Sequence, residues 1–470
     1  MPTKIFVGMH ALAAAGLLAI LAFSVSVPAL ALQETEAQKE ARMKWWTEAR
    51  FGMFIHWGTY ALAARHEWVK NYEHIPDGEY QKYFENFNPD LYNPQDWARA
   101  AKAAGMKYFV ITTKHHEGFC LWDSKYTDYK ATATPYGRDL IKPLVKAMRE
   151  EGLRVGFYYS LLDWHHPEYT LDRNHPMFNN AEFREKAKNR DMGKYKEYLF
   201  NQVRELMTEF GTIDCLFLDF SFPGKEGKGR NDWDSEKLLK MIRELQPKII
   251  INDRLDLLDV PGGWDFRTPE QFMPREWVKM NGKKVPWETC QTFSGSWGYH
   301  RDEATWKSVR QLIVMLIETV SKGGNLLLNV GPTARGVFDD RAVERLNGIG
   351  EWMRLNGRSI YGCTEVPEGF PKPANCLLTY NPQDKRLYVH VLEWPMGVLR
   401  LEGFGGKIKY AELLNDASEI RFSEEGRQAD LGYMGFLPGE NKDAAGRAVV
   451  LRLPVLQPKV TVPVIELFLK

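Results

Sequence analysis

Cysteine is scarce, with five residues among 470 (Cys120, Cys215, Cys290, Cys363 and Cys376) and no CxxC pair. Zinc ribbons and thioredoxin-type redox chemistry are excluded on that count. Cys363 and Cys376 are the nearest pair in sequence should the chain meet an oxidising compartment, whereas Cys120 and Cys215 sit in apolar runs and read as buried thiols. An excess of charge of one sign is lacking too, since 62 Lys and Arg oppose 61 Asp and Glu for a net +1. A charge-balanced chain has no electrostatic reason to seek phosphate, so no nucleic acid is expected as a partner. No HxH or HExxH spacing occurs among the eleven histidines, which argues against the commonest zinc sites.

Only one long apolar run is present. It follows Lys4, is rich in Ala and Leu, and ends in the small-residue pattern Ala29-Leu30-Ala31. Residues 1–31 read as a signal peptide cut after Ala31, with an uncleaved membrane anchor as the alternative. No cysteine follows the run to suggest a lipoprotein. The expectation is export to the periplasm or the extracellular space, with no membrane span after cleavage.

The length exceeds what one hydrophobic core usually supports, so a large domain and a smaller module are expected. From Arg50 to about Asn329 an amphipathic helix, a glycine or turn and a short buried strand recur. Asn93-Pro94 opens a helix that Gly105 ends, and a strand follows from Lys107 to Thr112. Asp139 caps a helix that Gly152 stops, ahead of Val155 to Ser160. Two more copies feed Ile213 to Asp219 and Lys248 to Asn252, and further strands are expected at Phe51 to Ile55 and Asn325 to Val330. Strands this apolar are buried on both faces of a parallel sheet. A (β/α)8-like barrel over residues 32–362 fits best, with an open doubly wound sheet as the alternative, because pattern alone does not decide closure. Beyond Cys363 short strands alternate with Asn, Pro, Asp and Gly turns, so 363–470 reads as an all-β sandwich, a packing module rather than a second sugar site.

Side chains at the carboxyl ends of barrel strands converge on one mouth. His56-Trp57, His115-His116-Glu117, Tyr158 and Tyr159, Asp219, and Asn252-Asp253-Arg254 all fall there. A lone Asp at a strand end is ordinarily a turn former; imidazoles and a guanidinium at neighbouring ends give Asp219 the partners a buried carboxylate needs. Trp57, Trp68, Trp122 and Trp297 offer flat apolar surfaces on which sugar rings pack, or simply core. Two loops, Asp163 to Asn189 and the glycine-rich Pro223 to Arg230, flank the same end, and the second reads as too glycine-rich to be rigid.

These residues carry a resemblance. Arg50-Phe51-Gly52-Met53-Phe54-Ile55-His56-Trp57-Gly58, His66-Glu67-Trp68, Thr113-Lys114-His115-His116-Glu117-Gly118-Phe119, Leu216-Phe217-Leu218-Asp219, Asn252-Asp253-Arg254, Ser296-Trp297-Gly298-Tyr299 and Asn325-Leu326-Leu327-Leu328-Asn329-Val330-Gly331-Pro332 resemble the α-L-fucosidases of glycoside hydrolase family 29. The resemblance implies a retaining exo-glycosidase that removes terminal α-L-fucose from a fucosylated oligosaccharide or glycoconjugate, without cofactor or metal. Asp219 would be the nucleophile. The acid and base would be Glu270, on a segment able to swing towards the leaving oxygen, or its rival Glu288. His56, Glu67, Trp68, His115, His116, Tyr158 and Arg254 would hold the sugar, and Phe217 stands where relatives often carry Trp. A metal-dependent hydrolase on a barrel and a noncatalytic fucose-binding protein are the competing readings.

Overall fold

Strands without a polar face must be covered on both sides, and the chain achieves this by closing its parallel sheet on itself. The computed structural model describes residues 34–424 and 447–470; the expected leader, 1–31, lies outside the described residues. The strands are β1 (Phe51–Ile55), β2 (Tyr108–Lys114), β3 (Arg154–Ser160), β4 (Cys215–Asp219), β5 (Ile250–Ile251), a short hairpin β6 (Lys279–Met280) and β7 (Lys283–Lys284), then β8 (Glu288–Thr292) and β9 (Asn325–Val330). Seven of them form one parallel sheet in the order β5-β4-β3-β2-β1-β9-β8.

Its two edges are joined by residues 266–270. Phe266 bridges Asn252 beside β5, while Arg267 and Glu270 bridge Trp287 and Cys290 on the β8 side, all in parallel sense. This segment is the eighth stave. It was invisible as a strand because Arg267, Thr268 and Pro269 interrupt the apolar pattern, and Pro269 has no N–H to give a ladder. β8, Glu-Thr-Cys-Gln-Thr, was likewise missed, although all five of its residues are buried. The helices expected between strands are present at Pro94–Ala103, capped by Asn93, and at Ile141–Glu150, where Asp139 accepts from the Ile141 and Lys142 amides. Among the described residues no helix is long and apolar enough to cross a membrane.

After the helix Asp340–Asn356 come β10 (Cys376–Asn381), β11 (Arg386–Val391), β12 (Val398–Leu401), β13 (Ile408–Leu413), β14 (Phe422–Glu424), β15 (Val449–Arg452) and β16 (Val464–Leu469). They build two antiparallel sheets, β10-β11-β16-β13 and β12-β15-β14, which share one apolar cluster that includes Leu378, Val389, Leu399 and Leu451. The five cysteines are free and buried.

The amino end of the barrel is plugged by the helix Glu36–Ala49, which the strand repeat gave no reason to expect. Trp46 donates its indole N–H to Glu288 Oε2 at 3.1 Å, and the Tyr108 hydroxyl donates to the same oxygen. Glu288 is thus the first residue of β8, wholly buried, with its other oxygen unpartnered and no ion pair among the described residues. Burial pushes its pKa from the ordinary 4.5 up to about 7, despite the two donors. A carboxyl raised in the folded state binds its proton more tightly there than in the unfolded chain. Its contribution is full below about pH 4.5 and is lost as pH rises through about 7, a swing of roughly 3 kcal/mol. Thermal unfolding of Glu288→Gln and wild type should therefore coincide more closely at pH 5 than at pH 9, where the amide variant is the more stable; an equal gap at both pH values would show that Glu288 is not titrating in the fold.

Candidate active site

At the opposite, carboxyl end of the strands lies a cavity of about 330 Å³. His56, Glu67, Trp68, His115, His116, Tyr158, Asp219 and Glu270 all line it; Glu288, at the barrel floor, does not. Trp68 and Trp297 reach the cavity, whereas Trp57 and Trp122 are core. Phe54, Phe217, Phe220, Gln271 and Cys290 complete much of the wall. Of these, Phe54 could have been found from the inward alternation of β1; Gln271 and Cys290 belong to staves the pattern did not reveal.

Asp219 ends β4 with little exposure, and both its oxygens are engaged. Tyr158 donates to Oδ2 at 2.7 Å and Arg254 Nη1 donates to Oδ1 at 2.8 Å. The other terminal nitrogen of Arg254, Nη2, donates to Glu270 Oε2 at 2.7 Å. One guanidinium therefore spans both carboxylates. Asp219 is the deeper of the pair, at 12% side-chain exposure against 41% for Glu270. Burial raises the Asp219 pKa above its usual range, and Glu270 adds to this, while Arg254 and the Tyr158 hydroxyl oppose it. Burial alone would depress Arg254; the two carboxylates outweigh it and hold the guanidinium firmly charged. Phe217 supports the cation from beneath, with Arg254 Cζ 5.5 Å from its ring centre.

The Asn-Asp-Arg run after β5 is what aims this cation. Asn252 accepts from the Leu218 amide at 3.0 Å and donates to the Leu218 carbonyl at 2.8 Å, locking the run to β4 beside Asp219. Asp253 pairs with Arg267 at 2.7 Å and accepts from the Thr268 hydroxyl, tying it to the eighth stave. Arg254 Nε then donates to Thr268 Oγ1 at 3.1 Å. Gln271 N–H donates to the Cys290 carbonyl at 3.0 Å, so Glu270 stands on barrel wall rather than on a swinging loop. The glycine-rich stretch after Asp219 is also tighter than its composition suggests: a Cβ on Gly227 would lie 2.0 Å from the Phe222 carbonyl, so glycine serves close packing there.

The imidazoles are presented in defined tautomers. Asn329 donates through Nδ2 to the Trp297 carbonyl at 2.7 Å, so its Oδ1, 2.6 Å from His56 Nδ1, must accept. The Ser160 hydroxyl donates to the Leu162 carbonyl at 2.8 Å, so its oxygen accepts from His116 Nδ1 at 2.6 Å. Both rings consequently carry their proton on Nδ1 and turn a bare Nε2 elsewhere; that of His116 is 3.9 Å from Asp219 Oδ2. Burial, reinforced by the neighbouring His115, holds both well below the usual histidine pKa, hence neutral. Glu67 Oε2 accepts from the Trp297 and Gly298 amides at 3.1 and 2.9 Å, and its Oε1, without a hydrogen-bond partner, lies 3.1 Å from His66 Nδ1.

Backbone strain collects at the rim. His66, Phe220 and Gln271 have φ of 111°, 88° and 58°, in the left-handed region that costs non-glycine residues about 1–3 kcal/mol each. Among the described residues no group of three His, Cys, Asp or Glu side chains could hold a metal ion. What the cavity offers is a deep carboxyl group and a second, more exposed one on a single cation, lone pairs on imidazole and carboxylate for hydroxyl donors, and aromatic walls.

The profile described as Alpha-L-fucosidase matches residues 25–358 of this chain. Among solved structures, Alpha-L-fucosidase isoenzyme 1 from Paenibacillus thiaminolyticus is 45% identical, with a TM-score of 0.84 over 92% of this chain and 99% of its own. A GH29 α-L-fucosidase from Bacteroides thetaiotaomicron, solved as a trapped covalent intermediate with 2-fluoro-fucosyl fluoride, is 29% identical, with a TM-score of 0.76 over 92% of this chain and 96% of its own. Plasma alpha-L-fucosidase of Homo sapiens is 30% identical over 382 residues, 75% of this chain and 76% of that protein.

If Arg254 is the main force keeping Asp219 ionised, Arg254→Met should move the Asp219 titration upward by at least one pH unit. Carboxyl ¹³C shifts followed against pH check this; an unmoved titration would mean that Tyr158 alone carries the charge.

Proposed function

Because this chain belongs to the α-L-fucosidase family, we propose that Asp219 and Glu270 are the carboxyl pair by which it removes terminal α-L-fucosyl residues from glycans with retention. The reading rests on one observation above all: Arg254 holds both carboxyl groups on neighbouring nitrogens of a single guanidinium at the mouth of the barrel. Carboxyl groups bridged in this way are neighbours at one cation, as a retaining pair working across roughly 5–5.5 Å must be.

In the first step an Asp219 oxygen attacks the anomeric carbon while Glu270, protonated, gives its proton to the departing glycosidic oxygen, and the C–O bond to the aglycone breaks. In the second, Glu270 takes a proton from water, the water oxygen bonds to the anomeric carbon, and Asp219 leaves as carboxylate. The covalent species trapped in the Bacteroides relative is the kind this route passes through. Burial and positions suit the roles: the deeper carboxyl is the one gripped by a cation and a phenol, and the more exposed one faces departing group and water. His56, His116 and Oε1 of Glu67 would accept from sugar hydroxyls, Trp68 and Trp297 would wall the ring, and a hydroxyl missing or inverted would strand a buried acceptor. Glu288 is a floor residue in this reading. We also propose export, on the leader-like pattern of residues 1–31; the natural glycan would then be met outside the cytoplasm.

Nitrophenyl α-L-fucoside and an unactivated fucosyl disaccharide test the assignments together. Asp219→Ala should lower turnover of both by about 10³-fold or more with circular dichroism unchanged. Glu270→Ala should slow the disaccharide at least tenfold more than the nitrophenyl substrate, whose leaving group needs little protonation. Glu288→Gln should keep both within about tenfold of wild type; a Glu288 variant with the leaving-group signature would transfer the acid role to it.

A further inference from the structure

Four imidazoles line the cavity; those of His56 and His116 have their inner nitrogen held by a neutral side chain, and that of His66 accepts from the Trp68 amide at 3.1 Å. His115 is different. Its Nδ1 lies 3.3 Å from Glu117 Oε2, a close approach short of hydrogen-bond geometry, and neither His115 Nδ1 nor either oxygen of Glu117 has any hydrogen-bond partner. Both residues are buried, Glu117 at 1% exposure and His115 at 3%. A carboxyl group is costly to bury without a use. The chain is shaped to admit this one: after β1 it passes so close that a Cβ on Gly58 would sit 2.6 Å from Glu117 Oε1. Around the imidazole, Tyr158 stacks at 5.8 Å, His116 lies at 4.0 Å and Tyr60 meets it edge-on at 5.4 Å, so the ring has little freedom except about the axis that Glu117 could fix.

We infer that Glu117 is a positioning residue for the proposed fucosidase site, its buried carboxylate holding the proton on His115 Nδ1 so that Nε2 is the atom turned to the sugar. The inference rests on the functional reading above for its consequence in catalysis, but not for its geometry. An amide at the same place presents both a donor and an acceptor, and a donor set against Nδ1 would drive the proton to Nε2, the tautomeric error that makes carboxylate-to-amide changes beside an active-site histidine costly.

The test uses the full chain. Glu117→Gln should lower kcat/KM for nitrophenyl α-L-fucoside by about 10- to 100-fold, the usual scale for removing a group that orients a ligating imidazole, with circular dichroism unchanged. In a His115→Ala background the same substitution should cost less than about twofold, because its effect passes through the ring that is gone. Long-range ¹H–¹⁵N spectra of histidine-labelled wild type, which need no variant to fold, should show His115 protonated at Nδ1. A bare Nδ1 in wild type, or an equal loss from Glu117→Gln with and without His115, would overturn the inference. A protonated Nδ1 in a chain that releases no fucose would instead overturn the fucosidase reading and leave the Glu117–His115 pair standing.

Discussion

The site depends on a single guanidinium. A carboxylate at the end of an apolar strand, as Asp219 is, would neutralise itself by binding a proton unless something repaid its lost hydration. Arg254 offsets part of that loss at 2.8 Å, although burial still leaves the Asp219 pKa above its usual range, and through its second nitrogen it holds Glu270 as well. The cost of burying the cation is met by having two anions rather than one, and the price of holding two anions close is met by the cation between them. Remove that bridge and nothing of comparable strength would oppose the pull of burial towards protonating Asp219, the deeper carboxyl.

The barrel's manner of closing follows from the same need. Residues 266–270 supply the eighth stave, yet they meet their neighbours through isolated bridges rather than a full ladder. Pro269 has no N–H to give a regular ladder there. Instead the side chains of Arg267 and Thr268 answer Asp253, and Thr268 also receives Arg254 Nε. The wall of the barrel and the alignment of its cation are one set of hydrogen bonds, so Glu270 needs no excursion to reach Asp219's partner.

How far the sequence could be read follows from which staves are apolar. β1 to β5 and β9 announce themselves as buried runs, and the strand-end rule then brings His56, His115, His116, Tyr158, Asp219 and Arg254 to one mouth. β8 hides because Glu288, Thr289, Gln291 and Thr292 are polar residues buried by contact with neighbours, not by their own hydrophobicity. The plug helix Glu36–Ala49 hides for a related reason: Met43, Trp46 and Ala49 are buried among charged neighbours. Glutamate type and local texture thus favoured Glu270, for its Thr-Pro context, and left Glu288 as its rival. Only chain closure separates them, by setting one at the floor and the other at the mouth.

That separation gives the two glutamates opposite chemistry from the same side chain. Glu288 has hydrogen-bond donors but no cation, and burial carries its pKa to about 7, so the proton it keeps has nowhere to go and serves the floor. Glu270 is half-exposed beside a cation and a second carboxylate, where a proton can be taken from water and returned to it. A general acid must lose and regain its proton on every turnover, which is why the proposed reading gives that task to the glutamate at the mouth and not to the one at the floor. The same logic orders the histidines: those backed by Asn329 and Ser160 are fixed as neutral acceptors, whereas His115 has a buried carboxyl group, that of Glu117, 3.3 Å from its inner nitrogen and so takes its orientation from a different kind of neighbour.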